Sequence, residues 1–212
     1  MQPHIGVDES GKGDFFGPLV IAACYVGPEH LAELEGVKDS KKLTDPVSLR
    51  LAGKIRATCP HAIVAIGPTK YNELYAKFRN LNKMLAWGHA RAIENVLEQA
   101  PAELVISDQF ADPAGLKRAL FEKGRTINLQ SMVRAEADIA VACASVLARA
   151  EFLTRLKRLG EEVGMELPKG ASDIVLRAGA KLVQTQGAER LQHVAKTHFK
   201  TYANVLELAG RR

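Results

Sequence analysis

The chain has 212 residues, of which 47% are hydrophobic and 25% charged, and its mean hydropathy is −0.08. These values are typical of a globular protein of one domain, or one and a half, with a sizeable core. No apolar run approaches the length of a membrane span, and the N-terminus has no basic region followed by a hydrophobic one. We therefore expect a cytoplasmic protein that does not enter a membrane.

The charge and the cysteines narrow the class further. A net charge of +5 and a pI near 9.1 favour a polyanionic partner only mildly, because many basic proteins never bind nucleic acid. Aromatic residues make up 6% of the chain, which argues against a base-stacking module and favours backbone recognition. Cys24, Cys59 and Cys143 are odd in number, widely spaced and set among apolar neighbours, so we predict small core residues rather than disulfides or a zinc site.

The chain opens with two predicted strands, over 4–9 and 17–26, which are joined by a glycine-rich turn. Asp8 and Glu9 lie where the first strand ends. Neighbouring strand residues point to opposite faces, so the two carboxylates cannot both be buried in one apolar face. At least one of them must face a cleft or solvent, where it can hold a cation.

The turn itself adds a possible anion site. Gly11 and Gly13 permit positive φ and a close backbone approach, and Lys12 between them carries a positive charge. An ordinary charged turn in a plain hairpin loop is the alternative interpretation. Apolar residues on both sides favour the functional one, because charges inside a core sheet are costly unless they are paired or bind a metal.

The middle of the chain alternates helices and strands. We predict a helical turn over Pro28–Leu34, a helix over 46–58 capped by Asp45, a buried strand over 62–66 and a helical stretch over 70–99 that breaks near 79–80. A polar loop that contains Ser40, Lys41 and Lys42 precedes the first of these helices. Taken alone, it reads as a solvated, lysine-rich loop.

A strand over 104–108 repeats the opening pattern, because an apolar run ends there in a carboxylate, Asp108. A shorter strand is predicted over 125–129. The order of elements suits an α/β fold with a mixed five-stranded sheet and helices on both faces. Ligand sites in such folds gather at strand ends, which is where Asp8 and Asp108 lie.

The last third of the chain is predicted to be helical. Asp138 precedes a helix rich in small residues, and helix capping is the simplest explanation for it. A glycine-rich and charged stretch over 160–172 is the predicted linker, and helices are predicted over 171–186 and 188–208. The last of these carries Lys196 and Lys200, which form either a basic face beside a substrate or ordinary solvated surface.

Six segments of the sequence resemble one known family, the type 2 ribonucleases H, and resemble ribonuclease HIII more than ribonuclease HII. They cover nearly the whole chain in the order of the family. The segments are Asp8–Pro18 (DESGKGDFFGP), Asp39–Leu43 (DSKKL), Asn80–Trp87 (NLNKMLAW), Ser107–Asp108, Ala142–Arg149 (ACASVLAR) and Lys196–Lys200 (KTHFK).

The resemblance implies a single ribonuclease H-like catalytic domain over 1–212, with a helical C-terminal extension from about 165. It implies a metal-dependent endoribonuclease that cleaves the RNA strand of RNA/DNA hybrids and leaves 5′-phosphate and 3′-hydroxyl ends. The alternatives are incision at single ribonucleotides in DNA, as in the HII branch, and a nucleic-acid-binding module without catalysis. Ribonuclease HIII usually carries an additional N-terminal domain of the TATA-binding-protein type, and we expect this chain to lack it. No obligate protein partner is expected.

The resemblance also implies the site residues. Asp8, Glu9, Asp108 and Asp138 would hold two Mg²⁺ or Mn²⁺ ions, for which hard oxygen ligands are suited. Glu136 is a rival for the fourth acid, because in the family this acid lies slightly further upstream of its serine than Asp138 lies from Ser145. Residues expected to contact the substrate are Ser10, then Gly11, Lys12 and Gly13, whose backbone would approach the 2′-hydroxyl, and Ser40, Lys41 and Lys42 at the phosphates.

Overall fold

The structure is a computed structural model that describes residues 1–37, 43–108, 113–120, 124–132 and 135–210. It contains one sheet with the strand order β3-β2-β1-β4-β5. The central strand β1 is antiparallel to β2 and parallel to β4, and β4 is parallel to β5. The predicted mixed five-stranded sheet is therefore confirmed. The strands are β1 His4–Ser10, β2 Leu19–Val26, β3 His61–Ile66, β4 Leu104–Asp108 and β5 Asn128–Met132.

Helices make up most of the remaining described chain. The α-helices are α1 Asp45–Thr58, α2 Pro68–Phe78, α3 Leu81–Leu97, α4 Pro113–Ala119, α5 Ile139–Glu162, α6 Asp173–Gln186, α7 Ala188–Val194 and α8 Lys200–Gly210. Short 3₁₀ segments cover Pro28–Leu34, Gly124–Thr126 and Ala135–Ala137. Among the described residues no helix is long and apolar enough to cross a membrane.

Two glycines let helices approach the sheet from opposite faces. A Cβ on Gly6 of β1 would overlap the backbone of Ala140 and Val141, so α5 lies directly on that strand. A Cβ on Gly88 of α3 would come within 2.7 Å of the Cδ1 atom of Ile21 on β2. Ile21 pairs with Glu9, which is an odd number of residues from Gly6 and therefore points to the other face. The expectation of helices on both faces is confirmed.

The contacts within the chain divide it into two compact units. The first comprises Met1–Ser10, Val20–Val64 and Asn80–Glu151, and it contains nearly all of the sheet. The second comprises Gly11–Leu19, Ala65–Arg79 and Phe152–Arg212. The assignment of 1–212 to one domain stays a prediction.

The predicted break within the helical stretch 70–99 is confirmed. Arg79 ends α2 with a left-handed backbone, φ 48°. In the part of the chain that the structure describes, it is the non-glycine residue that has a positive φ. The side chain of Asn80 then caps α3 by accepting a hydrogen bond from the amide of Lys83 over 3.2 Å. At α1, by contrast, Thr44 is the N-cap and Asp45 is the first helical residue, one position from the prediction.

Three predicted elements differ from the structure. The helix expected over 188–208 is two helices, because Ala195 adopts an extended backbone and bridges to Phe16. The last strand begins at Asn128 rather than 125, since residues 124–126 form a 3₁₀ turn. The strand β3, expected to be buried, lies at the edge of the sheet and is only partly covered. All three cysteines are buried and unbridged, as predicted.

Candidate active site

The predicted acids Asp8 and Asp108 come together at the end of two adjacent parallel strands. The last paired positions of β1 and β4 are Val7 and Ser107. Asp8 and Asp108 follow directly, one residue further along each strand. Residues in register on neighbouring strands share a face and lie about 5 Å apart. Asp108 is paired with Met132 of β5, which fixes its backbone on that side.

Asp8 lies on the face of the sheet that α5 covers. Ser145 of α5 hydrogen-bonds to its carboxylate, and the amide of Glu9 donates to its Oδ1 atom over 2.8 Å. Burial raises the pKa of Asp8 to about 6, and repulsion from Glu9 adds to this effect. The hydrogen bonds and the neighbouring His89 offset only part of the rise. A partly buried carboxylate with a raised pKa is stabilised by a bound cation.

Glu9 points to the opposite face, where α3 holds it. The Nε2 atom of His89 donates to the Oε2 atom of Glu9 over 3.1 Å, and His89 is almost fully buried. Gly88 makes this contact possible, because its missing side chain allows α3 to approach Ile21, the residue paired with Glu9. Adjacent carboxylates therefore face opposite sides of the sheet, as the strand pattern predicts.

The structure does not bring Asp138 to this pair of strand ends. Its Oδ1 atom accepts hydrogen bonds from the amides of Ala140 and Val141, which caps α5, and its Oδ2 atom accepts one from His4 over 2.8 Å. His4 begins β1, four residues before Asp8, and a strand rises about 3.3 Å per residue. The two carboxylates thus lie toward opposite ends of β1, on the order of 10 Å apart.

The pair formed by His4 and Asp138 is electrostatically favourable. The hydrogen bond from His4 to Asp138 raises the pKa of His4, although burial opposes the rise. Burial alone would raise the pKa of Asp138, but the hydrogen bonds from His4, Val141 and Ala140 outweigh it and lower that pKa. The capping role, which the sequence also predicted, therefore accounts for the observed contacts of Asp138.

The structure describes only some of the other predicted site residues. Ser40, Lys41 and Lys42 lie outside the described residues, as does the side chain of Glu136. Among the residues that the structure describes, no three His, Cys, Asp or Glu side chains stand close enough together to hold a metal ion. Glu9 is turned to His89 instead.

The segment Gly11–Gly17, which we call the glycine loop, follows β1 at Ser10. Gly11 has φ +85°, and a Cβ there would overlap the carbonyl oxygen of Pro18, so only glycine fits without strain. Gly13 is different, because its φ is not positive and a Cβ would meet nothing within 4 Å. The conformational argument therefore holds for Gly11, whereas at Gly13 the close approach of a substrate stays a prediction.

The sequence suggested that Lys196 lies on an exposed basic face, and the structure contradicts this prediction. It is fully buried, and its Nζ atom donates to the carbonyl oxygens of Asp14 and Gly17 over 2.7 and 2.8 Å. Burial lowers the pKa of Lys196 to about 7, although the Asp14 carboxylate opposes the change. Lys200, the other member of the predicted face, is exposed at the start of α8.

Sequence reasoning did not assign the observed roles of four residues: Ser145, His89 and His4 contact predicted acids, and Lys196 contacts the glycine loop. Ser145 was part of a recognised segment but had no role, and Lys196 was expected on the surface. His89 had one usable signal, since Gly88 and Ala90 on either side indicate close packing around it. His4 had none, because its partner is 134 residues away in the chain.

Comparison with known proteins identifies ribonucleases as relatives of this chain. A family model described as Ribonuclease HII matches residues 5–202. A ribonuclease HIII of Protochlamydia amoebophila (strain UWE25) is 47% identical over 213 residues, which cover 100% of this chain and 71% of that protein. A ribonuclease HIII of Chlamydia abortus (strain DSM 27085 / S26/3) is 47% identical over 212 residues, covering 98% of this chain and 71% of that protein.

Solved structures agree with the architecture. A crystal structure of Bst-RNase HIII in complex with Mn²⁺ matches with a TM-score of 0.92 and 38% identity, covering 100% of this chain and 71% of that one. The RNase H3 of Aquifex aeolicus matches with a TM-score of 0.76 and 32% identity over 92% of this chain and 72% of that one. The ribonuclease H2 of Pyrococcus horikoshii OT3, 20% identical, shares the fold with a TM-score of 0.79.

A mixed sheet of this order, with acids at the ends of its parallel central strands, defines the ribonuclease H-like class of nucleases. The chain belongs to the type 2 ribonuclease H family, and within it the chain is similar to ribonucleases HIII. It is accordingly a ribonuclease H, a phosphodiester hydrolase that cleaves the RNA strand of RNA/DNA hybrids.

Proposed function

We propose that the protein cleaves the RNA strand with divalent metal ions, Mg²⁺ or Mn²⁺, held by Asp8, Glu9 and Asp108. The single observation that carries this proposal is the register of β1 and β4, which continues from Val7 and Ser107 into Asp8 and Asp108. The Mn²⁺ complex of Bst-RNase HIII supports a divalent ion in a protein of the same family.

The donor set fits such ions. Carboxylate oxygens are the ligands that Mg²⁺ and Mn²⁺ prefer, and the raised pKa of Asp8 indicates a carboxylate that a cation would stabilise. Two bound ions would activate the attacking water and neutralise charge on the scissile phosphate and leaving oxygen. Ser145 and His89 would orient Asp8 and Glu9, and the products would be 5′-phosphate and 3′-hydroxyl ends.

We further propose that the Gly11–Lys12–Gly13 tripeptide recognises the RNA strand through its 2′-hydroxyl, which alone separates RNA from DNA locally. Ser10 adjoins this tripeptide. Ser40, Lys41 and Lys42 are proposed to contact backbone phosphates. Gly13 is exposed and a Cβ there would meet nothing within 4 Å, which supports the close approach of a substrate at this point.

One cleavage assay tests the reaction. Labelled RNA/DNA hybrid, duplex RNA, duplex DNA and a DNA duplex with one ribonucleotide are each incubated with Mg²⁺, Mn²⁺ or EDTA. We expect cleavage of the hybrid in either metal and none in EDTA. Cutting of the single-ribonucleotide duplex alone would favour the activity of the HII branch, and binding without cleavage would favour a non-catalytic module.

The variant Asp108→Asn tests the assignment of the acids. We expect its hybrid cleavage to fall at least about a hundredfold, as the loss of a direct metal ligand implies, with folding retained. Asp173→Asn, which changes an exposed carboxylate at the start of α6, is the matched control. Cleavage by Asp108→Asn at the parental rate would remove Asp108 from the mechanism.

The fourth acid is tested by comparing Asp138→Asn with Glu136→Gln. The variant with the larger loss of cleavage at saturating metal identifies the ligand. Because Asp138 caps α5 and pairs with His4, its variant should also lower the melting temperature. A lower melting temperature with full activity would assign Asp138 a structural role only.

A further inference from the structure

The glycine loop is held by a short stretch of chain between α7 and α8. Phe16 and Ala195 form an antiparallel bridge. The amide of Gly17 donates to the carbonyl oxygen of Val194, and the amide of Lys196 donates to that of Phe15, both over 2.9 Å. Residues 15–17 of the loop are thus paired with residues 194–196, within the second compact unit.

The side chain of Lys196 adds two contacts that backbone pairing cannot supply. Its Nζ atom donates to the carbonyl oxygens of Asp14 and Gly17, which lie on either side of the bridge. The ring of Tyr71 lies 5.6 Å from the same nitrogen. One ammonium group therefore fixes both ends of residues 14–17.

A lysine is an expensive residue for this position. It is fully buried, and desolvation disfavours its charged form. A methionine of similar length would pack there without this cost. Methionine cannot donate hydrogen bonds to two carbonyl oxygens, so these two bonds are what the lysine contributes at this position.

The loop that Lys196 holds contains the proposed RNA-binding tripeptide. The amide of Asp14 closes a turn on the carbonyl oxygen of Gly11 over 3.4 Å. The carboxylate of Asp14 accepts a hydrogen bond from the amide of Gly170 over 2.7 Å. Asp14 therefore ends the turn over 11–14, and its carbonyl group is one of the two that Lys196 holds.

We propose that Lys196 is a positioning residue, which fixes the glycine loop in the shape that selects RNA over DNA. This inference rests on the proposed role of Gly11–Gly13 in substrate binding. Lys196 touches neither substrate nor metal in this arrangement and acts through the carbonyl groups of Asp14 and Gly17.

Hydrogen exchange tests the structural half of the proposal without any substrate. In Lys196→Met, the hydrogen-bonded loop amides of Asp14, Phe15 and Gly17 should exchange at least about tenfold faster than in the parent protein, because two buried carbonyl groups lose their donor. The matched control is Val205→Ala, a buried change in α8 of the same unit. Equal protection of the loop in Lys196→Met and the parent would overturn the proposal.

Binding tests the functional half. The dissociation constants for an RNA/DNA hybrid and a DNA duplex of the same sequence are measured in Ca²⁺, with the integrity of the RNA checked on gels. Lys196→Met should weaken hybrid binding about tenfold and leave DNA binding unchanged, whereas Val205→Ala should preserve the ratio of the two constants. An unchanged ratio in Lys196→Met would also overturn the proposal.

A second variant covers the case in which Lys196→Met does not fold. Lys196→Gln keeps an N–H donor without a charge, but its side chain is shorter. We therefore expect its rate of amide exchange in the loop and its ratio of dissociation constants to lie between the values of the parent protein and those of Lys196→Met. Parental values in Lys196→Gln would show that the lysine contacts are dispensable. Cleavage of hybrid by the parent protein remains the separate test of the proposed function, so the two failures are distinguishable.

Discussion

Asp8 is held where its own charge opposes folding. The carboxylate is partly buried on the face that α5 covers and lies next to a second carboxylate, and its pKa is raised to about 6. Hydrogen bonds from Ser145 and from the amide of Glu9 do not compensate fully. Such an unfavourable charge is expected where a protein reserves a position for a cation.

Asp8→Asn should therefore stabilise the metal-free protein. The folded pKa of about 6 lies above the ordinary value of 3.8, so the folded state binds a proton more readily than the unfolded state. The ionised carboxylate destabilises the fold above pH 6, and this cost disappears as the pH falls toward 4. At pH 7.5 in EDTA we expect the variant to gain on the order of 1–3 kcal/mol in unfolding free energy, measured by urea titration.

The same titration at pH 5 provides an internal check, because the gain should shrink as Asp8 takes up its proton. Asp173→Asn, at an exposed position, should change stability little at either pH. Addition of Mn²⁺ should stabilise the parent protein and not Asp8→Asn. A variant less stable than the parent at pH 7.5 would contradict this account of Asp8.

Single residues also mark the limit of what the sequence could predict. Asp8, Glu9 and Asp108 could be found, because each ends an apolar run that predicts a strand. Their partners could not: His89 is 80 residues from Glu9, and the pairing exists only once α3 lies on the sheet.

At the scale of elements, the contact between α5 and β1 sets the position of Ser145 relative to Asp8. Gly6 lies beneath the first turn of α5, with no room for a side chain. The helix then runs along the strand toward its carboxyl end. The geometry around Asp8 therefore depends on a glycine that is two residues away and takes no part in the chemistry.

Gly6→Ala should destabilise the protein and impair cleavage together. The added methyl group would overlap the backbone of Ala140 and Val141, so α5 must shift outward and carry Ser145 with it. We expect a loss of about 2–3 kcal/mol in unfolding free energy, the usual cost of overpacking. Urea denaturation measures the stability, and the hybrid assay measures cleavage.

Gly53→Ala is the matched control for that variant. Gly53 lies within α1, and a Cβ there would meet nothing within 4 Å. The substitution should stabilise the helix by about 0.5–1 kcal/mol and leave cleavage unchanged. If Gly6→Ala behaved like Gly53→Ala, the close packing of α5 on β1 would be refuted.

Most element types followed from the sequence, and the largest error has an identifiable cause. Hydrophobic runs predicted the five strands, and the break predicted near 79–80 separates α2 from α3. The helix predicted over 188–208 failed, since its residues have helical propensity but Ala195 and Lys196 hydrogen-bond to the glycine loop instead. A contact between segments about 180 residues apart overrides local preference, and a single sequence carries no signal for it.

At the scale of the whole molecule, the carboxylates at the ends of β1 and β4 contrast with the positive net charge of the protein. The net charge of +5 attracts a polyanion, while the carboxylates at the ends of β1 and β4 repel it unless cations are present. Binding of hybrid should therefore weaken steeply with salt, because phosphate contacts release counterions. A titration in Ca²⁺ from about 50 to about 200 mM KCl measures the slope of the logarithm of the affinity against the logarithm of the salt concentration.

Lys12→Ala should reduce that slope by about one, as the loss of one phosphate contact implies. Lys181→Ala, an exposed change in α6, removes the same charge from the molecule as a whole and serves as the control. Equal slopes for the two variants would mean that only net charge matters and that Lys12 makes no phosphate contact.

The parallel pairing of β1 with β4 has a consequence for how the enzyme comes into being. The two strands that carry Asp8 and Asp108 are separated by about a hundred positions in the chain, and such distant pairings form late in folding. On the ribosome the first strand emerges long before its partner is synthesised. We therefore expect nascent chains to be unable to cleave RNA until β4 has been synthesised.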